Sequence, residues 1–107
     1  MRSPADLKKE IESRLKKYLS RDKTGIRHEL LKLFLEIKSL RVADIYDNLK
    51  ERYTTSYHSI ASMVGIIASK IGILHVKKDK DNVNTQYELK EQYKDIVTKL
   101  VGSVGSS

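Results

Sequence analysis

Apolar residues return along this chain at two different periods, and the change of period divides it into elements. Leu7, Ile11, Leu15, Tyr18 and Leu19 fall on one stripe at helical spacing, with Lys9, Ser13 and Lys16 on the opposite face. Ser3 can cap this segment, Pro4 suits a first turn and Asp6 complements the positive helix end, so a first helix is predicted over 4–19. The pairs Glu10/Arg14 and Glu12/Lys16, four residues apart, support it. A short link, 20–24, leads to a second helix that runs to Lys38. Its stripe of Ile26, Leu30, Leu33, Phe34 and Ile37 is widened by Leu31 and Leu35, which implies contacts on more than one side and a central place in the core. Ser39-Leu40-Arg41 breaks the pattern as a very short extended segment. A third helix follows from Val42 to about Tyr53, burying Ile45, Leu49, Ala43 and Tyr46.

The fourth helix, 56–71, has the sharpest division of faces. Ile60, Met63, Val64, Ile67 and Ile71 gather on one side, and His58, Ser59, Ser62, Gly65, Ile66, Ser69 and Lys70 on the other. Thr55 or Ser56 caps its start, and Gly72 suits a left-handed exit. Ala61, Gly65 and Ala68 are expected to serve close helix packing. After Gly72 the period becomes 2: Leu74 and Val76 alternate with His75 and Lys77, and Thr85, Tyr87 and Leu89 alternate with Gln86 and Glu88. The polar run from Lys78 to Asn84 joins them as the tip of an antiparallel hairpin. A last helix over 91–101 carries Tyr93, Ile96, Val97, Leu100 and Val101 on its apolar face, and 102–107 is expected to be a disordered tail. The pattern predicts a single α+β domain over 1–101, mainly α with a small antiparallel β-hairpin.

Composition narrows the chemistry. With 107 residues the chain has room for one core. The absence of cysteine excludes disulfides, thiolate zinc sites and thiol catalysis, and fits a cytosolic protein. No apolar run approaches the ~20 residues of a membrane span, so a cytoplasmic chain without membrane partners is expected. The net charge of +7 points towards a polyanionic partner. Residues 1–24 hold eight Lys/Arg against four Asp/Glu, and the rest of the chain is close to balance. His28, His58 and His75 lie in separate elements, and Asp79-Lys80-Asp81 fails as a calcium loop because Val83, Asn84 and Lys90 occupy later required positions. Neither a glycine-rich phosphate loop nor a nucleophile elbow is present, so no metal, cofactor or enzymatic activity is expected. The six tyrosines fall mostly on apolar stripes and are read as core residues.

The order of helix, helix, turn, helix, glycine, strand, polar tip, strand and helix resembles the winged helix-turn-helix superfamily over 30–89. Val42 to Leu49 resembles its second helix, Ile60 to Leu74 its recognition helix and glycine exit, and Leu74 to Leu89 its wing. The helices flanking the core, 24–89, look like those of small uncharacterised archaeal winged-helix proteins. The resemblance implies duplex DNA as partner, with helix 56–71 in the major groove and the 78–84 wing on the backbone. The recognition-helix residues it implies are Thr55, Ser56, Tyr57, His58, Ser59, Ser62, Ser69 and Lys70, and the wing residues Lys77, Lys78 and Lys80. Basic residues of the first helix extend the phosphate footprint. The chain departs from a strong base reader in having no Arg, Asn or Gln on the exposed face of helix four, while Asp79 and Asp81 dilute the wing. Specificity would then lean on His58, Tyr57, the wing or DNA shape. A transcriptional regulator is expected, as a homodimer joined through helices 4–19 and 91–101. The alternative is a protein-interaction module whose uncharged helix-four face, with Ile66, docks another protein.

Overall fold

Each of the first four helices starts beside a side chain that takes up a free backbone N–H group. The computed structural model describes residues 3–78 and 85–105. Helix α1 (Pro4–Ser20) starts on Ser3, whose hydroxyl accepts the Asp6 N–H at 3.2 Å. It ends where the Arg21 and Asp22 N–H groups bond back to the Tyr18 and Leu19 carbonyls. Helix α2 (Ile26–Glu36) follows Gly25, which lies in the left-handed region at φ 89°. Helix α3 (Val42–Leu49) follows Arg41 and is closed by Asp44 in its first turn, whose carboxylate accepts the Arg41 N–H at 3.0 Å and its guanidinium at 3.2 Å. Helix α4 (Tyr57–Ile66) is capped by Ser56, which accepts the Ser59 N–H at 3.1 Å. It runs into one π-helical turn, Ile67–Ile71, and leaves through Gly72 at φ 81°. Strands β1 (Leu74–Lys78) and β2 (Thr85–Leu89) pair antiparallel, with Leu74 opposite Leu89 and Val76 opposite Tyr87. A 3-10 turn, Glu91–Tyr93, leads into α5 (Lys94–Gly105). The architecture is the mainly helical α+β fold with a hairpin that the sequence pattern predicts.

Apolar side chains from every helix and both strands meet in one core. α2 lies at its centre: Leu30 and Leu31 are fully buried and Phe34 nearly so, with α3 and α5 packed against the helix. This is the consequence of its wide apolar arc. α1 packs on α5 and on the π turn, and α3 packs on α4. Leu40 exchanges backbone hydrogen bonds with Tyr87 at 2.9 and 2.8 Å, so the break after α2 adds a one-residue extended segment beside the hairpin. The result is a flat molecule, 40 × 36 × 20 Å.

Several positions depart from the periodic reading, each for a local reason. Leu7 is 38% exposed, because burial along α1 begins only at Ile11. α2 stops at Glu36 rather than Lys38: Ile37 turns extended (φ −116°, ψ 124°) to lead into the Leu40 pairing, and its side chain is left exposed. α3 stops at Leu49 rather than Tyr53, since the Arg52 and Tyr53 N–H groups both return to the Leu49 carbonyl; Ala43 faces solvent. Only the first residue of β1 is buried, so Val76 is exposed although it alternates in phase with Leu74. Gly65 is no packing contact; it is exposed, and a Cβ built there meets nothing within 4 Å. α5 overruns the expected boundary at 101 and reaches Gly105, with 106–107 outside the described residues. The apolar sides of α1 and α5 are buried in the core of the single chain.

Two glycines of the same segment therefore answer oppositely to a methyl group. Gly72→Ala forces a side chain into the left-handed region and is expected to cost about 1–2 kcal/mol. Gly65→Ala, in an open helical position, is expected to add about 0.5–1 kcal/mol. Urea denaturation of the two variants measures both signs.

Candidate nucleic-acid interface

The outward side of α4 is open and its inward side is anchored. Ile60, Val64 and Ile67 are fully buried and Ile71 is 3% exposed, while Tyr57, His58, Ser59, Ser62, Gly65, Ser69 and Lys70 face solvent. Thr55 is half-buried and Ser56 is exposed at the cap, its hydroxyl 3.1 Å from that of Ser59. Ile66 is not a free apolar residue; it is half-buried and packed against the core.

The structure does not hold all the expected residues on one helical face. The Gly72 N–H bonds to the Ile67 carbonyl at 2.9 Å, five residues back, and the Ser69 hydroxyl bonds to the Gly65 carbonyl at 2.6 Å. A serine that competes for an α-helical carbonyl loosens the ladder at that point, and here the helix widens into the π turn. Ser69 and Lys70 therefore leave the α-helical stripe, and the Lys70 carbonyl accepts from Arg14 of α1 at 3.4 Å. Thr55, His58, Ser59 and Ser62 stay together at the other end of α4, about 15 Å away along the helix axis. Of the wing residues, Lys77 and Lys78 are exposed on β1, and Lys80 with the rest of the 79–84 tip lies outside the described residues. Lys77 is spent on Glu88 at 3.1 Å, and that hydrogen bond holds the Glu88 carboxyl below its ordinary range.

The four residues at the start of α4 line one wall of a cleft of about 500 Å³. The facing wall is the α1–α2 link, which brings Arg21, Lys23 and Arg27 opposite them. Sequence reasoning passed over these three cations because they fall in a turn and at the start of a helix, outside any periodic face. Arg27 is oriented in advance: its guanidinium lies 4.2 Å from the centre of the Tyr18 ring and donates to the Tyr18 carbonyl at 2.7 Å. Burial pushes the Tyr18 phenol up to about 12, against the pull of Arg27 and with the help of Asp22. Asp22, the one acid lining this cleft, turns inward with its side chain 1% exposed. Its carboxylate accepts the Gly25 and His28 N–H groups at 3.1 Å each and meets His28 Nδ1 at 2.6 Å. It caps α2 from outside the helix and fixes the link. Burial raises the Asp22 pKa, yet the bonds from His28 and the α2 backbone prevail and hold it below the ordinary value.

A second hollow, of about 590 Å³, flanks the other side of the Thr54–Thr55 turn and is lined by Tyr46, Lys50 and Arg52. Tyr57 meets Tyr46 edge to face at 6.0 Å, so the first side chain of α4 is braced against α3. Lys50 and Arg52 are partly neutralised, by Asp47 at 3.2 Å and Glu29 at 3.3 Å.

Two electrostatic features distinguish this side of the molecule. No Asp or Glu occurs between Glu51 and Asp79, a stretch that carries Arg52, Lys70, Lys77 and Lys78. Among the described residues, Arg21, Lys23 and Arg27 have no carboxylate ion-pair partner, a property they share with Lys8, Lys9, Lys17, Lys38, Lys70, Lys78 and Lys90; what sets them apart is that all three line one cleft. No group of three His, Cys, Asp or Glu among the described residues could hold a metal ion, and no described helix is long and apolar enough to cross a membrane.

Fold and surface together define a small helical protein with a β-hairpin and a basic cleft beside an acid-free helix. Residues 15–97 match the model of a family described as a protein of unknown function, DUF2551, and the chain belongs to that family. It is similar to an uncharacterized protein of Archaeoglobus fulgidus, 44% identical over 93 residues that cover 86% of this chain and 93% of that protein. No solved structure matches the chain.

The link generates a pH-dependent expectation. A lowered carboxyl contributes stability that is complete above its unfolded pKa, about 3.9, and is lost as pH falls through the lower folded value. Asp22→Asn is expected to cost about 1–3 kcal/mol near neutral pH, and the gap to the parent should close in strong acid. Thermal unfolding of both proteins across that range measures it.

Proposed function

We propose that this protein binds duplex DNA through the outward face of α4, in the manner of the winged helix-turn-helix proteins that its element order resembles. The observation that carries the reading is the asymmetry of α4: an anchored apolar side, a solvent face of hydroxyls, one His and a bare glycine, and no acid nearby in sequence. Small side chains and an uncovered Gly65 allow a helix backbone to approach a groove closely. Serine contacts are permissive, so affinity rests on phosphates and specificity on His58, Tyr57 and DNA shape. Regulation of transcription is the role this mode of binding suggests. Of the two features behind the protein-docking reading, Ile66 is half-buried and packed against the core, whereas the uncharged face of α4 serves that reading as well.

Binding is measured by fluorescence anisotropy on a mixed-sequence labelled duplex. Micromolar affinity is expected at about 50 mM salt, falling with a log–log slope of roughly −4 to −6 as salt rises. Absence of binding under those conditions would defeat the proposal. Ser62→Asp, at an exposed position, is expected to weaken binding about tenfold or more, since a carboxylate there opposes phosphate without disturbing the core. Binding that is indifferent to Ser62→Asp would remove α4 from the interface.

A further inference from the structure

We infer that the α1–α2 link is a phosphate clamp: Arg21, Lys23 and Arg27 grip the sugar–phosphate ridge bordering the groove that α4 enters. The inference rests on the DNA reading of α4 and adds to it a set of residues and a direction of approach. A helix in the major groove has a phosphate ridge along each side, since the groove is only about 12 Å wide. On one side of α4 the structure leaves a cleft of about 500 Å³, open enough to admit such a ridge, between the His58–Ser59–Ser62 wall and the link.

The chemistry of the two walls fits that occupant. Hydroxyls and a histidine on the α4 side can donate to phosphate oxygens, and the cap turn at Thr55 opens into the same cleft. On the link side, three cations gathered on one cleft lack acid partners among the described residues; in the hairpin Lys78 is likewise unpaired, while Lys77 is held by Glu88. Arg27 is stacked on Tyr18 and tied to its carbonyl by one donor, which keeps the guanidinium oriented and leaves the rest of its donor fork uncommitted. Arginine so placed loses little freedom on meeting a phosphate. Asp22 would repel that phosphate if it faced the cleft, but its carboxylate points into the backbone of α2 and is engaged by three donors. The link thus displays cations and conceals its acid.

The experiment compares two double substitutions of equal charge change. Arg21→Gln with Lys23→Gln removes the two exposed members of the clamp, and Lys94→Gln with Lys99→Gln removes two charges on α5, which does not line the cleft. Anisotropy titrations with the same duplex are run over a range of salt concentrations, and circular dichroism checks the fold of each variant. The link variant is expected to weaken binding and to make the log–log salt slope shallower by about two, one for each lost phosphate contact. The α5 variant is expected to keep the parental slope. If the parent binds but the two variants have equal slopes, the clamp is overturned while DNA binding by α4 stands. If the link variant matches the parent and Lys77→Gln with Lys78→Gln takes the loss instead, the hairpin is the phosphate anchor and the clamp is again overturned. If the parent does not bind duplex DNA, the reading of α4 fails and the clamp falls with it.

Discussion

The one-sided anchoring of α4 is the constraint from which the rest of the surface follows. Ile60, Val64 and Ile67 are fully buried, and each such side chain contributes roughly 1.5–3 kcal/mol relative to exposure. Shifting the helix by two residues would put Ser62 and Ser69 where Ile60 and Ile67 lie, and each unpaired buried hydroxyl would cost about 1–3 kcal/mol. The outward face is therefore fixed by what the inward face must do. The facing wall of the cleft is fixed independently, by the Asp22 carboxylate bound to the backbone of α2. Two walls set by separate interactions make a preformed cleft, and a preformed site spends little of its interaction energy on ordering itself.

The π turn sets the length of that outward face. Had the α-helix continued to Ile71, Ser69 and Lys70 would have extended the stripe begun by His58, Ser59 and Ser62. Instead the widening at Ile67 moves them off it, and Arg14 bonds to the carbonyl of Lys70. α1 thus touches the far end of α4 through Arg14, while Arg21, at the other end of α1, borders the cleft beside His58. One accessory helix flanks both ends of this segment and joins it to the link.

Most of the fold was legible in the sequence because it is written in periodicity. The stripes of α1, α2 and α4, the left-handed exit at Gly72 and the shift to period 2 at Leu74 all survive in the structure, as does the extended step at Leu40. What was not legible depends on where an element ends relative to the core. Leu7, Ile37 and Val76 obey the pattern and are exposed, because a periodic stripe says which way a side chain points and not whether anything lies there. The same limit applies to the surface. Thr55, His58, Ser59 and Ser62 could be found as a face, whereas Arg21, Lys23 and Arg27 join them only through the fold of the link. A signal was available in Asp22-x-x-Gly25, an acid placed to cap the next helix, which would have directed attention to the cations on either side of it.

Net charge alone describes this surface poorly, because a charge acts at a distance only to the extent that it is not matched nearby. By segment totals the hairpin and the link look alike, each mixing lysines or arginines with acids. In the hairpin, Glu88 reaches Lys77 diagonally across the two strands at 3.1 Å and cancels much of its field. In the link, Asp22 lies between Arg21 and Lys23 in sequence but is matched elsewhere, by the backbone N–H groups at the positive end of the α2 dipole and by His28. A carboxylate consumed in capping a helix subtracts less from its neighbours than one left on the surface. The same residue that makes the link rigid thereby leaves its cations available, so the local structure and the local field have a common cause.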